Sequence, residues 1–399
     1  MNSLVQVLPL LLLGSLLALM IVRQQVMSRE PSWWIGAILD GSAVAALCGG
    51  VISWSVPTWI SIQTQDLVQP AVLFLAGWVG LEIGCGLDLR VVRRASFLPF
   101  LTETASALTV TVVVFAVAYA VSSLLPGGPQ TIPAMLLILS GICVAGPAVP
   151  ESAVALSRGA GRGGFWNPSV AAALAVLLAA TGMALVSGTE SGIYLDSPYG
   201  RLLWAIAVGC VAGLVADLGS REDFAPGGLY PQIAAVVLVA AGIAGAVGID
   251  TLLVGTICGF WLVNATLRRL DILHVVERGA TVPRLLAPFL AGWLVGDSLK
   301  ATGVDSGVFL FVLLLLLLLR PTARVLARRM LQSHSSGRRQ ERQSASVVEI
   351  NEIGILLVVM LTRFVEPATG AGAVAAVLLA KWLLGIGAQA WEQREAAPS

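Results

Sequence analysis

The sequence predicts an all-α polytopic membrane protein with about thirteen transmembrane helices. Two properties of its composition lead to this fold class. Of its 399 residues, 57% are hydrophobic and only 12% are charged, whereas a soluble domain carries about 25% charged residues. The apolar residues also fall into runs of roughly 20, the length that a helix needs to cross a bilayer. The net charge of +1 and the lack of basic patches interleaved with aromatic residues give no indication of nucleic-acid binding.

Taken in order, the apolar runs predict the positions of the spans. The first run, MNSLVQVLPLLLLGSLLALMIV, lacks the basic opening and the small-residue cleavage site of a secretory signal, so it is kept as a span. The polar, arginine-rich tract 333–346 predicts a flexible cytoplasmic loop. The predicted spans are 3–22, 34–54, 70–88, 97–124, 132–156, 166–187, 202–218, 229–248, 251–265, 284–299, 306–322, 350–366 and 371–389.

The distribution of basic residues predicts the orientation, because cytoplasmic connections are enriched in lysine and arginine. An external N-terminus places 20 of the 24 basic residues on the inner side of the membrane. The remaining four are Arg201, Lys300, Arg363 and Lys381. We therefore expect a multi-pass protein of the inner (plasma) membrane, with the N-terminus outside and the C-terminus in the cytoplasm.

The fifth predicted span contains a break, in SGICVAGPAVPESAVALS at residues 140–157. Pro147 and Pro150 lack N–H groups and free carbonyls of the preceding turn. Irregular backbone at membrane depth is tolerated only against protein or a watery cavity, as in the broken helices of transporters. Glu151 follows at once, and a carboxylate near the membrane interior is a functional candidate. Alternatively, the helix ends at Gly146 and Glu151 lies in a cytoplasmic turn beside Arg158.

Two acids close the third span, Glu82 and Asp88, and the basic turn RVVRR follows them. Pairing with this turn is the simplest interpretation of both acids. The candidate partners are Arg90, Arg93 and Arg94.

Four more ionisable residues lie in or beside predicted spans. Glu103, in the first turns of the fourth span, is a candidate for lining a cytoplasmic funnel together with the acids at the end of the third span. Asp297 and Lys300 are three residues apart and predict a local pair at the outer surface. Arg320 follows a run of leucines, so it either snorkels to the inner interface or points into the protein.

Cofactor and enzyme motifs are missing from the sequence. The five cysteines lie in apolar segments without a CxxC or Cys/His pair, which indicates no metal site. The sequence also has no HExxH motif and no phosphate loop. We expect neither a cofactor nor an enzyme activity.

Three stretches resemble the monovalent cation:proton antiporters: LFLAGWVGLEIGCGLDLRVVRR at 73–94, GIDTLLVGTICGFWLVNATLRR at 248–269 and LLLLRPTARVLARRM at 316–330. The third resembles the helix that carries a membrane-embedded basic residue in that family, which puts Arg320 at this position. The resemblance implies two inverted repeats with crossed broken helices, and a homodimer. It assigns 1–94 and 200–299 mainly to a dimerisation part, and 95–190 and 305–390 mainly to a transport core.

The chain departs from the family at the ion site. It has Ala145, Gly146 and Pro147 where such antiporters have Thr-Asp-Pro or Ser-Ser-Thr at the break. The following span, FWNPSVAAALAVLLAATGMALV, contains no acid where the family places one or two aspartates, and Asn167 is its strongest polar group. Glu151 is then the nearest substitute carboxylate, with Arg320 as the counter-charge. In the twelfth span, the family's Arg-Gly-Glu is replaced by Ile-Asn-Glu at 350–352.

These features leave three functions open. The first is a secondary transporter that exchanges a monovalent cation, sodium or potassium, for protons by alternating access, with atypical or lost ion coupling. The second is a transport-inactive membrane scaffold or sensor that retains the fold. The third is uptake of an organic anion held by Arg320 and a broken helix end.

Overall fold

The fold is seen in a computed structural model that describes residues 41–55, 58–90, 109, 112–113, 116, 168–186, 197–221, 228–319, 352–362 and 366–396. Every regular element within these residues is helical, in agreement with the predicted all-α class. The helices are α1 (Gly41–Ser55), α2 (Thr58–Cys85), α3 (Pro168–Val186), α4 (Pro198–Ser220), α5 (Leu229–Val247), α6 (Thr251–Ala265), α7 (Arg269–Gly279), α8 (Thr281–Ala301), α9 (Ser306–Leu314) with a π-helical turn (Leu315–Leu319), α10 (Glu352–Leu361) and α11 (Pro367–Ala396).

Local chemistry explains where several helices begin and end. The side chains of Ser197, Asp250 and Asp305 precede α4, α6 and α9, and each accepts a hydrogen bond from a backbone N–H two or three residues further on. Such N-caps satisfy the free donors of a first helical turn. Helix α5 ends at Gly248, whose φ of 74° lies in the left-handed region that favours glycine.

The described helices overlap the predicted spans 34–54 and 70–88, and they overlap every predicted span from 166–187 to 371–389. The spans predicted at 3–22 and 132–156 lie outside the described residues, and four residues of 97–124 are described. Within the described part, α4, α5 and Pro367–Gly387 of α11 are long and apolar enough to cross a membrane by length and composition. The shorter apolar helices are Gly41–Trp54, Gln69–Cys85, Ala172–Ala184, Thr251–Ala265 and Ser306–Leu318.

Helix α7 was not predicted from the sequence. It has the sequence RLDILHVVERG, with Ile272, Leu273 and Val276 buried and charged residues on its other side. Eleven residues are too few to cross a bilayer, so a search for long apolar runs passes over such an amphipathic helix.

The chain divides into two compact units, each built from segments far apart in sequence. Unit 1 comprises Met1–Gln69, Arg284–Leu318 and Gly337–Ser399, and unit 2 comprises Pro70–Pro283 and Leu319–Ser336. The division falls inside α2 beside Pro70 and inside α8 beside Pro283. The predicted dimerisation and transport parts follow other boundaries and stay a prediction.

In unit 1, helices α1 and α8 cross at contacting backbones. A Cβ atom at Gly49 would collide with the carbonyl of Phe289, so a larger residue does not fit there. Beyond this crossing, Lys300 Nζ donates a hydrogen bond to the carbonyl of Ser53, in the last turn of α1, at 3.2 Å. Asp297 is only 7% exposed. The expected local pair of Asp297 and Lys300 stays a prediction, and the structure adds that the acid is buried and that the ammonium reaches a second helix.

Candidate functional site

The site residues predicted from the sequence fall outside the described residues. Two described elements border them in the chain: α3 begins directly after the predicted Asn167, and the π-helical turn ends directly before the predicted Arg320. The full set of predicted site residues is Glu103, Gly146, Pro147, Pro150, Glu151, Asn167 and Arg320, and their roles stay predictions.

Helix α3 covers the predicted span in which the antiporters that the sequence resembles carry aspartates, and in this chain it has no ionisable side chain. Its interior face consists of small apolar residues, among them Ala172, Ala175 and Ala179, each fully buried. The hydroxyl of Thr181 donates to the carbonyl of Leu177 at 2.8 Å, within the same helix. This helix therefore offers no group that binds and releases a proton near neutral pH.

A buried arginine lies at the C-terminal end of α3. Arg201, in the first turn of α4, is 4% exposed, and its Nη1 donates to the carbonyl of Ala184 at 3.3 Å. Sequence reasoning found Arg201 only as an exception to the charge distribution. Its place in the first turn of an apolar helix was the available signal, because a basic residue there is close to the membrane interface.

The helix that precedes Arg320 in the chain changes from an α-helix to a π-helix. From Leu315 to Leu319 the backbone follows a π-helix, a wider turn that is frequent at functional sites. The sequence of this turn is five leucines, so nothing in its pattern distinguishes it from the α-helix before it. At its start, α9 is tied to α11 by Asp305, whose N–H donates to the carbonyl of Ala368 at 3.1 Å.

In unit 2, α2 and α6 cross at backbone contact through interlocking glycines. A Cβ at Gly80 or Gly84 would collide with the carbonyls of Leu252 and Thr256 on α6, and a Cβ at Gly255 with the carbonyl of Gly77 on α2. Small residues at an interface let two membrane helices approach closely. The first two stretches that resemble antiporters are thus brought together at this crossing.

Polar contacts close one end of the crossing. Asp88 Oδ2 forms an ion pair with Arg269 Nη1 at 2.7 Å, and Asp88 is 5% exposed. The amide of Asn264 accepts from the N–H of Leu89 at 2.9 Å and donates to the carbonyl of Leu87 at 3.1 Å. The last turn of α6 therefore holds the chain that leaves α2, at the end predicted to face the cytoplasm.

The ion pair of Asp88 adds a partner that the sequence did not predict, while the expected pairing with Arg93 or Arg94 lies outside the described residues and stays a prediction. Of the basic turn that follows α2, the N–H of Arg90 donates to Asp88 Oδ1 at 2.9 Å, and the guanidinium that pairs with this acid is that of Arg269. Asp88 and Arg269 are far apart in the sequence, and they meet because two helices cross. A local sequence pattern does not reveal such a contact. The available signal was an acid, Asp88, near the end of the first antiporter-like stretch and two arginines, Arg268 and Arg269, at the end of the second.

A second acid lies near the same end of the crossing. Glu82, one turn before the end of α2, is 4% exposed. Glu82 and Asp88 thus bring two buried carboxyl groups to the end of α2. The described residues contain no group of three or more His, Cys, Asp or Glu side chains that could hold a metal ion.

Comparison with solved structures gives a match over nearly the whole chain. The sodium/proton antiporter MjNhaP1 from Methanocaldococcus jannaschii is similar with a TM-score of 0.60 and 15% sequence identity, covering 98% of each chain. No family model matches the sequence. No curated protein matches it either.

These findings define the class of protein. The chain is a multi-pass, helical membrane protein with the fold of a cation:proton antiporter. The resemblance found in the sequence is therefore confirmed at the level of fold, and the low identity agrees with a divergent chain.

Proposed function

We propose that this protein is a secondary transporter that exchanges a monovalent cation, sodium or potassium, for protons by alternating access. The observation that carries the proposal is the antiporter fold over 98% of both chains. The fold similarity supports the class of transport. Sodium and protons are proposed because they are the ions in that neighbour's name, and potassium because the sequence resembles monovalent cation:proton antiporters.

Within this proposal, Glu151 is the group that holds either the proton or the cation. An exchanger requires a titratable group in its site, and α3 supplies none. Glu151 lies on the predicted broken helix, where partial desolvation would raise the pKa of a carboxyl group toward neutrality. Arg320, directly after the π-helical turn, is the proposed counter-charge for the empty site. A homodimer, as the family resemblance implies, is part of the same proposal.

The lack of an acid in α3 also favours a second function. A chain that keeps the fold but has lost its ion-binding aspartates would act as a membrane scaffold or sensor. The two functions differ in one measurable property, which is whether a cation gradient and a proton gradient are coupled through the protein.

The test uses purified protein in proteoliposomes with an imposed pH gradient. We expect addition of Na⁺ or K⁺ to collapse the gradient, with Li⁺ as a third cation, and we expect Glu151→Gln to abolish this collapse because an amide does not titrate. Glu277→Gln is the matched control, since Glu277 is 42% exposed on α7, and it should retain wild-type rates.

The outcomes separate the alternatives. An active Glu151→Gln protein would remove Glu151 as the coupling residue while leaving the transporter intact. No collapse with any cation, from wild-type protein with a normal helical content, would contradict exchange. The scaffold function and the uptake of an organic anion would then remain for testing.

A further inference from the structure

The turn between α5 and α6 fixes a carboxyl group at the edge of unit 2. Gly248 turns the chain with its positive φ, and Ile249, 4% exposed, donates its N–H to the carbonyl of Ala244 at 3.0 Å. Asp250 follows, and its carbonyl accepts from the N–H of Val254 at 3.2 Å as the first hydrogen bond of α6. The backbone of Asp250 is thus held from both sides.

The two carboxyl oxygens of Asp250 have different surroundings. Oδ1 accepts a hydrogen bond from the N–H of Leu252 at 3.2 Å. Oδ2 is enclosed and has no hydrogen-bond partner within the described residues. The next residue, Thr251, is fully buried, and its Oγ1 also has no partner there. Two enclosed and unpaired oxygen atoms therefore lie on consecutive residues at this turn.

This arrangement favours the acid form over the carboxylate. An ionised oxygen that is enclosed without a donor loses its hydration and gains nothing in return. A proton on Oδ2 removes the charge and turns that oxygen into a donor, while Oδ1 continues to cap α6.

We propose that Asp250, at the α5–α6 turn, is a proton-binding site in addition to the residues predicted as the coupling site. Its pKa agrees with this role: burial raises the pKa of Asp250 from 3.8 to about 6, against the opposing effect of the nearby N–H groups of Leu252 and Leu253. Asp250 therefore takes up its proton as the pH falls through about 6.

The direction of α4 relative to α6 decides which charged residues of α4 lie near Asp250. A Cβ at Gly209 would meet the side chain of Ile257, and a Cβ at Gly213, one turn later, would meet that of Trp261. Helices α4 and α6 therefore run in the same direction, and their first turns lie at the same end.

Arg201 is consequently the charged residue that α4 brings to the end at which Asp250 lies. Its guanidinium donates to the carbonyl of Ala184 on α3, and a positive charge there favours the ionised form of Asp250. Of the other described charges on helices around α6, Glu82 on α2 is level with the middle of α6, because its neighbours Gly80 and Gly84 meet Leu252 and Thr256. Asp217 on α4 and the charges of α7, which begins after α6 ends, lie toward the far end of α6. Helices α3 and α5 contain no Asp, Glu, Lys, Arg or His. Burial has the largest effect on the pKa of Asp250.

The test is infrared difference spectroscopy of the purified full-length protein between about pH 7.5 and about pH 5. We expect acidification to produce a carbonyl band of a protonated carboxyl group that shifts in D₂O. Asp250→Asn should lose the contribution of Asp250 to this band, while any contribution of Glu151 stays. Asparagine caps a helix as well as aspartate does, so α6 should still form. Asp250→Ser, which also caps, serves if the asparagine variant does not fold.

Asp305→Asn is the matched control, because Asp305 is also an N-cap, and its Oδ1 accepts from the N–H groups of Gly307 and Val308. It should retain the band that Asp250→Asn loses. An unchanged band in both Asp250 variants would overturn the proposal, as would a wild-type spectrum without a band over this pH range. The readout does not depend on transport, so its result stands whether or not the exchange assay succeeds.

Discussion

At the scale of single residues, Asp88 and Asp250 are two acids of the same unit whose carboxyl groups have different partners. Asp88 has a guanidinium at 2.7 Å and a backbone donor at 2.9 Å, so its charge is compensated. Asp250 has a single capping donor within hydrogen-bond distance and one enclosed oxygen without a partner among the described residues. In the sequence both are acids beside an apolar run. The surroundings of each acid depend on contacts that a local pattern does not reveal, and this is why the sequence predicted neither Arg269 as a partner of Asp88 nor a role for Asp250.

The Asp88 and Arg269 pair allows a quantitative prediction. Their side chains are 8% and 17% exposed, and removing one partner of a buried ion pair leaves the other charge uncompensated, at a cost of about 3 kcal/mol. We expect Asp88→Asn and Arg269→Gln each to lower the apparent melting temperature in detergent. The double variant should lose less than the two single variants combined, and a double-mutant cycle measures this difference.

Arg221→Gln is the control for that cycle. Arg221 pairs with Asp217 at 2.9 Å, but its side chain is 63% exposed, and exposed pairs contribute little to stability. We expect a much smaller shift than for Arg269→Gln. Strictly additive effects of Asp88→Asn and Arg269→Gln would show that the pair has no energetic coupling.

At the scale of helices, the length of an apolar run predicted the spans well and their internal geometry poorly. The predicted span 251–265 coincides with α6, and 229–248 differs from α5 by one residue. The π-helical turn at Leu315–Leu319 was not predicted, because a uniform run of leucines contains no signal for a change of helix type. The predicted third span begins at residue 70, whereas α2 continues back to Thr58 and contains Pro70.

The glycine crossing between α2 and α6 gives a prediction for this scale. Gly80→Ala places a methyl group against the carbonyl of Leu252, so the two helices have to separate. Overpacking of this kind costs about 1–3 kcal/mol. We expect a lower apparent melting temperature, measured by the temperature dependence of helical circular dichroism.

Gly242→Ala is the appropriate comparison, because a Cβ at Gly242 in α5 meets no atom within 4 Å. Alanine is favoured over glycine in a helix by up to about 1 kcal/mol, so this variant should be as stable as the wild type or more so. Equal destabilisation by both substitutions would mean that backbone contact at Gly80 does not limit the crossing.

At the scale of the whole molecule, two properties of the sequence predicted the fold, and contacts between distant residues escaped prediction. Composition identified a membrane protein, and three antiporter-like stretches predicted the fold that MjNhaP1 shares at 15% identity. Pairing across long separations was not predictable: Leu89 and Asn264, hydrogen-bonded at 2.9 Å, are 175 residues apart. The coupling site was open to inference by position alone, because the family's aspartates are missing from α3, and Glu151 therefore remains a proposal.

The orientation of the molecule yields the last prediction. The distribution of basic residues predicts that the α6–α7 connection lies in the cytoplasm and the α8–α9 connection outside. Leu267 is 98% exposed in the first connection, and Thr302 is exposed in the second. In a background without the native cysteines, we expect a membrane-impermeant maleimide to label Thr302→Cys in intact cells and to label Leu267→Cys only after permeabilisation. The reverse pattern would invert the orientation, and labelling of both cysteines in intact cells would mean that α8 does not cross the membrane.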